Sequence, residues 1–432
     1  MNKNFYHEPH ELVPSVHART TTRCRTKSSW CSSGSWLKNL KRQIFLLFVI
    51  AILSSGFKLP AQGLTVSGIL DTSLSMQAGA ADAPDFSMGF EEYANIRFQS
   101  KIKDKAAVYG AVNLFAASGN YTIMMTGAGN GSPLNSTSYV YGENYIAGIE
   151  LERLYFRLLG ETVNLDGGLM RLPFGYGQVW GSSDFLNTRN PLKPDARPRA
   201  ILGTAFFWYP TEETKLNIFY SAPRDPISQK GDGSFLGLSF DKHWNKASVQ
   251  MLYCYETPKK DSDYGIHRAG LSVKADLVLG FVLDALYTYN YEAQTKLDGL
   301  SVSGGIDYSF FNGNLIFLAE YLYNGESSST ALKYGGSFSN NHYLYTGFTI
   351  RFNDYTNMSA ALISGLDDIS FTPILTLNHD LFQGAVLTIT AQVPLDRDLF
   401  SSDGNRGEFG PIPPGLSIGR YFDCTAKIRL RF

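Results

Sequence analysis

The sequence predicts an all-β fold, a transmembrane antiparallel up-and-down β-barrel of about 16–18 strands. The last residues, 421–432, alternate strictly between apolar and polar side chains. The composition is low in charged residues (18%) and rich in aromatic residues (14%) and glycine (41 residues). Beyond the N-terminal region, no apolar run approaches the roughly 18 residues that a membrane-spanning helix needs. A chain with this pattern spans a bilayer as a closed barrel, because lipid offers no partner for unpaired backbone groups.

The C-terminal segment is the clearest strand. Successive side chains of a strand point to opposite faces, so 421–432 presents an apolar wall and a polar wall. The segment resembles the C-terminal strand of bacterial outer-membrane β-barrel proteins, which typically ends in Phe. The resemblance implies that this strand pairs with the first strand and that it engages the barrel-insertion machinery. The apolar face carries Phe432, Leu430, Ile428, Ala426, Cys424 and Phe422, and the polar face Arg431, Arg429, Lys427, Thr425, Asp423 and Tyr421.

The N-terminal region predicts export. An apolar run at 44–53 follows basic residues such as Lys41 and Arg42 and precedes Ala61. This is the pattern of a secretory signal peptide cleaved after about Ala61. We therefore expect a leader over 1–61 and an outer-membrane barrel over 62–432, in a diderm bacterium. A short membrane anchor is the alternative, and the role of residues 1–37 stays open.

Charge and side-chain chemistry exclude several functions. Without residues 1–61, the chain contains 29 Lys and Arg and 37 Asp and Glu. Such an acidic chain is not expected to bind nucleic acid, which normally requires a basic surface. Cys254 and Cys424 are expected to be free thiols, since two cysteines make no disulfide framework. No two histidines of the mature chain have metal-ligand spacing, and His379 is interpreted as part of a strand end. We predict no cofactor, no metal and no enzyme activity.

The first strands follow the cleavage site at once. Alternation begins at Leu64–Met76, which leaves no room for a plug domain, and continues at about 91–103 and 106–117. The polar, Gly- and Ser-rich interval 118–144 is expected to be a long external loop.

The strand at 145–159 contains a slip in its alternation. Its apolar residues occupy one phase in the first half and the opposite phase in the second half. Without a correction, Arg153 and Arg157 would face lipid, at a cost of about 2–4 kcal/mol for each Arg at mid-bilayer. A β-bulge near Glu152 and Arg153 would turn both arginines into the lumen. The alternative is a shorter strand with these charges in the interfacial rim.

After a strand at 163–172, the chain enters a long loop at 173–199 that combines Trp180 and Phe185 with many charges. Loops of this length are uncommon without a function. The loop resembles the constriction loop that folds into many porin channels, and an ordered extracellular cap is the alternative. The resemblance places Asp184, Arg189, Arg197 and Arg199 at a constriction.

The rest of the chain is predicted to be a meander. Tight turns such as Asn312-Gly313 connect some strands, and tyrosine and tryptophan near strand ends suit aromatic girdles. With the five earlier strands and the last one, the prediction contains about 18 strands. The twelve further candidates lie at about 200–209, 214–221, 234–241, 246–256, 264–276, 278–291, 299–311, 313–324, 341–353, 356–366, 369–379 and 382–394.

The fold predicts the function. A barrel of this size encloses an aqueous channel, and rings of charge can set its selectivity. We predict a porin-like channel for passive diffusion of small hydrophilic solutes or ions, with outer-membrane lipid around it. Inward-facing charges are expected to include Asp71, Arg268, Lys274, Asp284 and Asp307. The predicted pore-lining and constriction residues are Arg97, Arg153, Arg157, Asp184, Arg189, Arg197, Arg199, Glu320 and Arg351.

A second hypothesis stays open. A structural or adhesive barrel with a closed lumen would use its loops at 118–144, 173–199 and 395–416 to bind partners. Porins are often trimers, so a homo-oligomer is possible, but the sequence defines no subunit interface.

Overall fold

The computed structural model describes the chain from residue 63 onward with gaps. Residues 1–62, with the predicted signal peptide and cleavage site, lie outside the described residues, so that prediction is not tested. The described ranges are 63–79, 85–102, 105–119, 137–142, 144–187, 191–192, 198, 200–223, 233–258, 264–291, 299–325, 338, 340–395 and 422–432.

Nearly all of the described chain is β-strand. A single turn of 3-10 helix at Phe311–Gly313 connects two strands, and the described residues include no helix long and apolar enough to span a membrane. The strands are β1 Leu64–Gly79, β2 Asp85–Ile102, β3 Ala106–Gly119, β4 Thr137–Gly142, β5 Tyr145–Leu159, β6 Val163–Met170, β7 Ile201–Thr211, β8 Thr214–Ser221, β9 Phe235–His243, β10 Ala247–Glu256, β11 Ile266–Asp276, β12 Gly280–Asn290, β13 Leu300–Phe310, β14 Leu315–Asn324, β15 His342–Asn353, β16 Thr356–Gly365, β17 Ser370–Phe382, β18 Ala385–Gln392 and β19 Phe422–Arg431.

The strands form a closed antiparallel barrel. Each strand pairs with its neighbours in the chain, except that β3 pairs directly with β5 and β4 lies outside this circuit. β19 pairs with β1 and closes the sheet. The wall therefore has 18 strands, which confirms the predicted fold class and the upper end of the predicted strand number.

The β19–β1 seam confirms the pairing predicted for the last strand. Arg429 lies opposite Asp71, and its guanidinium donates two hydrogen bonds of 2.7 Å to that carboxylate. Further along the seam, the Gln77 amide donates to Asp423 over 3.1 Å. Polar side chains thus join the two strands on the inner face, and backbone bonds between Phe432 and Gly68 extend the pairing to the chain end.

Alternation assigns the two faces of the wall as predicted. In β12, Phe281 and Tyr289 are exposed, whereas Asp284 and Thr288 in the other phase are buried. Exposed apolar side chains therefore form the outer surface, and the polar side chains of the same strands lie inside. Cys254 is buried on the inner face, and Cys424 lies in the apolar phase of β19.

The structure confirms the predicted β-bulge in β5. Ala111 of β3 lies opposite Arg153, whereas the adjacent Val112 lies opposite Leu151. Glu152 is thus the extra residue, and its side chain is buried. Leu151 and Leu154 are both exposed, so the bulge keeps apolar residues outside on both sides of it.

The structure corrects the prediction that the interval 118–144 is entirely loop. It contains β4, which pairs with residues 145–150 of β5. β6 covers only residues 154–159 on that edge of β5, because it ends at Met170. β4 therefore satisfies backbone groups that an early-ending β6 leaves without a partner, as exposed strand edges require.

The strand connections divide between the two rims as predicted. Short turns lie at the rim that also contains Gly63 and Phe432, for example Phe311–Gly313 between β13 and β14. Asn312 adopts a left-handed conformation there (φ 57°), which suits Asn in a tight turn. The longer intervals, including 80–84, 120–136 and 396–421, follow strands at the opposite rim.

Candidate pore and inner loop

Residues 171–187, called the inner loop below, lie inside the barrel. They leave β6, yet the backbone N–H of Trp180 donates to a carboxylate oxygen of Glu320 in β14 over 2.8 Å. β6 and β14 are eight strands apart in the 18-strand wall, almost opposite each other. A short segment can bring β6 and β14 together only through the interior.

The outgoing arm of the inner loop follows the inner wall strand by strand. The N–H of Gly175 donates to the Gln250 amide oxygen of β10 over 2.6 Å, and the N–H of Tyr176 donates to the Ser272 hydroxyl of β11 over 2.9 Å. At the far end, the N–H groups of Gln178 and Val179 donate to Glu320 over 3.1 and 3.0 Å. The loop therefore lies along the wall.

The returning arm uses a second buried carboxylate. Both the N–H and the hydroxyl of Ser183 donate to Asp284 of β12. At the base of the loop, the N–H of Leu172 donates to the Asn187 side chain over 2.8 Å, which closes the loop into a hairpin. Polar side chains of the wall thus satisfy the backbone of a buried segment, as buried backbone requires.

Apolar contacts hold both ends of the inner loop. Trp180 is fully buried and packs edge-on against Phe338 at 5.4 Å between ring centroids. Nearer the base, Phe174 packs on Phe219 of β8 at 5.0 Å, and Phe185 on Phe235 of β9 at 5.8 Å. These aromatic clusters lie on the inner face, where the sequence alternation predicted mainly polar groups.

Two predicted pore residues are buried, Glu320 beneath the inner loop and Asp184 within it. Glu320 is 1% exposed and accepts three backbone N–H groups of the loop. Asp184 is 3% exposed and accepts the N–H of Asn187 over 3.2 Å. Both carboxylates therefore contact protein groups rather than channel water, which is a correction to the expected exposure of these two side chains.

Arg153 and Arg157 lie on the opposite wall, on β5. Arg157 makes a bidentate ion pair with Asp166 of β6 at 2.7 and 2.6 Å. Arg153 lies 3.4 Å from Glu152. The Arg157 guanidinium also lies 5.8 Å from the centre of the Tyr109 ring, a cation–π distance. Much of the positive charge on this wall is thus neutralised locally.

The remaining predicted arginines have different positions. Arg97 of β2 is exposed, and its Nε donates to the Asn95 side chain over 2.7 Å. Arg351 of β15 is exposed on the inner phase near the short-turn rim. The predictions for Arg189, Arg197 and Arg199 lie outside the described residues.

Sequence reasoning missed Arg171 and Gln178. The Arg171 guanidinium lies 2.9 Å from Glu152 and joins the inner loop to the bulge. The Gln178 amide donates to Asp307 of β13 over 2.9 Å. Arg171 directly follows the last residue of β6, and a charged residue at the end of a strand's alternation could have indicated it as a lumen residue. Gln178 has no local signal, because its partner is distant in the chain.

Tyr176 of the inner loop has a shifted pKa. Burial raises the pKa of Tyr176 to about 12, and the negative charge of Asp241 acts in the same direction. The phenol is therefore neutral throughout the physiological pH range, so it adds no charge to the lumen.

Comparisons with known proteins agree with this architecture. No protein-family model and no curated protein sequence matches the chain. A BenF-like porin from Pseudomonas fluorescens Pf-5 is similar in structure, with a TM-score of 0.53, 11% identity, and coverage of 86% of this chain and 99% of its own. Pseudomonas aeruginosa OccK5 (OpdH) has a TM-score of 0.52 and 10% identity, with coverage of 86% of this chain and 99% of its own. Acinetobacter baumannii OccAB4 has a TM-score of 0.51 and 12% identity, with the same coverages of 86% and 99%. Identities this low establish the fold alone, and that fold is the porin barrel.

Proposed function

We propose that the protein is an outer-membrane porin that conducts small hydrophilic solutes or ions by passive diffusion, with the inner loop as its constriction. The observation that carries this proposal is the attachment of the inner loop to the inner wall by Glu320 and Asp284. A loop fixed to one side of the inner wall narrows the lumen. The solved structures of similar fold include a BenF-like porin, which agrees with the proposal.

The constriction lies between two unlike surfaces. One is the inner loop on the wall of β8–β15, where the anchoring carboxylates are covered by backbone. The other is the wall of β2, β3, β5 and β6, which carries Arg97, Arg153 and Arg157. We infer that a solute passing the loop meets these arginines and their paired carboxylates, so that selectivity arises from ordered charges of both signs. Arg189, Arg197 and Arg199 remain predicted constriction residues.

Location and assembly follow the same proposal. The exposed apolar wall suits outer-membrane lipid, and β19 is followed by a half-exposed Phe432 on the short-turn rim. We propose export through the predicted signal peptide at 44–53, cleavage after about Ala61, and insertion through the C-terminal strand. The outward Glu92, hydrogen-bonded to Thr72 over 2.9 Å, is an unusual group for a lipid-facing wall, which favours a homo-oligomer.

Planar-bilayer recording tests the channel. Purified refolded protein should give stepwise conductance in potassium chloride, with steps of uniform size. A heat-modifiable, correctly folded barrel that stays electrically silent would contradict the proposal and favour the structural or adhesive barrel with a closed lumen. Boiled protein is the control for detergent and lipid artefacts.

Two histidines of the barrel wall make cross-strand hydrogen bonds. The histidine of the Asn378-His379-Asp380 segment bonds through Nδ1 to the Thr356 hydroxyl over 2.9 Å, on the apolar outer phase of β17. His342 bonds similarly to the Tyr321 hydroxyl over 2.5 Å. These pairs join neighbouring strands on the outer face, which suits stabilisation of the wall near its rims.

A further inference from the structure

We propose that the lumen contains a binding subsite for a neutral polyhydroxylated solute about the size of one sugar ring, on the wall of β13–β16. This inference names a substrate class for the proposed channel and rests on that function. A cavity of about 200 Å³ lies there. Asp307 and Thr349 lie near the ends of β13 and β15, so the cavity lies between the inner loop and the short-turn rim.

Tyr345 gives the cavity an aromatic surface. A Cβ atom at Gly347 would lie 2.8 Å from the Tyr345 hydroxyl and 3.0–3.1 Å from two ring atoms. The ring therefore lies over Gly347, close to the wall, where a larger residue would displace it. Tyr345 also lines the cavity. Ile316 and Leu318 add an apolar floor.

Polar groups surround this aromatic surface. The Gln178 amide donates to one oxygen of Asp307 over 2.9 Å, which uses one of the roughly four acceptor positions of a carboxylate. Asp307 has room because its partner in β12 is Gly280, where a Cβ would lie 2.5 Å from both carboxylate oxygens. On another side, the Thr349 and Ser359 hydroxyls are 2.9 Å apart.

The combination selects the ligand chemistry. An aromatic face binds the apolar C–H face of a ring, while a carboxylate, an amide and hydroxyls at its edge bind hydroxyl groups. The volume is below the roughly 300–1,000 Å³ of pockets for drug-sized ligands, so the solute is small. The negative charge of Asp307 disfavours anions. Arg153 and Arg157 do not offset it, because they lie on the opposite wall of the barrel.

Saturation-transfer NMR on the full folded barrel in detergent tests the subsite without requiring conduction. Methyl α-glucoside is the probe, with glucuronate and glucosamine as charged comparators. We expect saturable transfer to the ring protons of methyl α-glucoside. Asp307→Ala and Tyr345→Ala should each weaken binding about tenfold, the effect of losing one good contact, whereas Tyr345→Phe should retain the ring-proton signal.

Matched controls use lumen residues outside the cavity. Tyr109→Ala removes a ring that stacks on Tyr155 at 4.9 Å on the opposite wall, and Asp380→Ala removes an exposed inner carboxylate on β17. Both should leave glucoside binding unchanged. Absent or non-saturable transfer, preference for glucuronate, or binding unaffected by Asp307→Ala would overturn the subsite. Conductance in potassium chloride is measured separately, so failure of the subsite is distinguishable from failure of the channel.

Discussion

Single side chains fix the inner loop more than general packing does. Glu320 accepts three backbone N–H groups through its two carboxylate oxygens, and it is almost fully buried. An unsatisfied buried donor costs about 1–3 kcal/mol, so this residue holds the far end of the loop in place. Trp180 packing contributes to the same end, but without the same directionality.

Glu320→Ala is therefore expected to loosen the inner loop while the barrel remains folded. The loss of three acceptor contacts should release residues 178–180 into the lumen, giving noisier single-channel currents and a red shift of the intrinsic tryptophan fluorescence, to which Trp180 contributes. Asp380→Ala removes an exposed carboxylate that does not contact the loop, and it should leave both readouts unchanged. Quiet, wild-type-like currents from Glu320→Ala would contradict the anchoring role.

The sequence predicted side-chain direction better than side-chain contact. Cys254 on the inner face and Arg153 behind a bulge follow from period-two alternation, which is local. The burial of Glu320 does not, because its partners are about 140 residues away in the chain. For the same reason, a half-buried lumen carboxylate such as Asp307 and a fully buried one such as Asp284 look alike in sequence.

At the scale of elements, the bulge in β5 leads to a deletion experiment. Removing Glu152 should leave a regular strand with Arg153 inside and Leu151 outside, because Glu152 is the extra residue in the register. The shortened protein should still migrate as a compact, heat-modifiable barrel on unboiled gels. Its inner loop should be less firmly attached, since Arg171 loses its ion pair with Glu152.

Deletion of Val273 from β11 is the matched comparison. β11 pairs in unbroken register with β10 and β12. Deleting Val273 therefore inverts the alternation on one side of the deletion, and either Lys274 or Arg268 turns toward lipid. A charge on the lipid face costs up to about 2–4 kcal/mol, the value at mid-bilayer, and we expect this variant to form less of the compact species. Equal folding of the two deletion variants would refute the bulge as the register-setting device.

The closing seam supplies a second element-scale prediction. Arg429→Met leaves the buried Asp71 carboxylate without its bidentate partner, and loss of one member of such a pair costs about 3 kcal/mol. We expect a lower unfolding temperature in heat-modifiability gels. The double variant Asp71→Leu, Arg429→Met should recover most of the loss. If the double variant is no more stable than Arg429→Met, the two residues do not act as a pair.

Element existence was predictable and element extent was not. The twelve expected strands from 200–209 to 382–394 correspond to β7–β18, with ends that shift by a few residues. β4 was missed because its pairing depends on where β6 ends, and β6 ends early because the chain turns inward at Arg171. That turn depends on contacts with distant strands in the lumen, so no periodic pattern of side chains in the local sequence predicts it.

For the whole molecule, the wall and the inner loop are separable. The ladder of 18 strands is complete without residues 173–186, and the Leu172–Asn187 hydrogen bond already brings the two ends of that segment together. Strand pairing and lipid contact should therefore specify the barrel, while the loop specifies the width of the passage.

Replacing residues 173–186 with two glycines tests this division. The barrel should still assemble and shift on heating, because no strand is altered and the base of the loop is preserved. A barrel of this size without an internal segment encloses a wide aqueous channel, so single-channel conductance should rise by at least about twofold. A two-glycine insertion in the short turn at Phe311–Gly313, at the rim away from the loop, serves as the control and should leave conductance unchanged. If the shortened protein conducts no better than the intact chain, the narrowest part of the channel lies elsewhere, and the inner loop is a structural support of the wall.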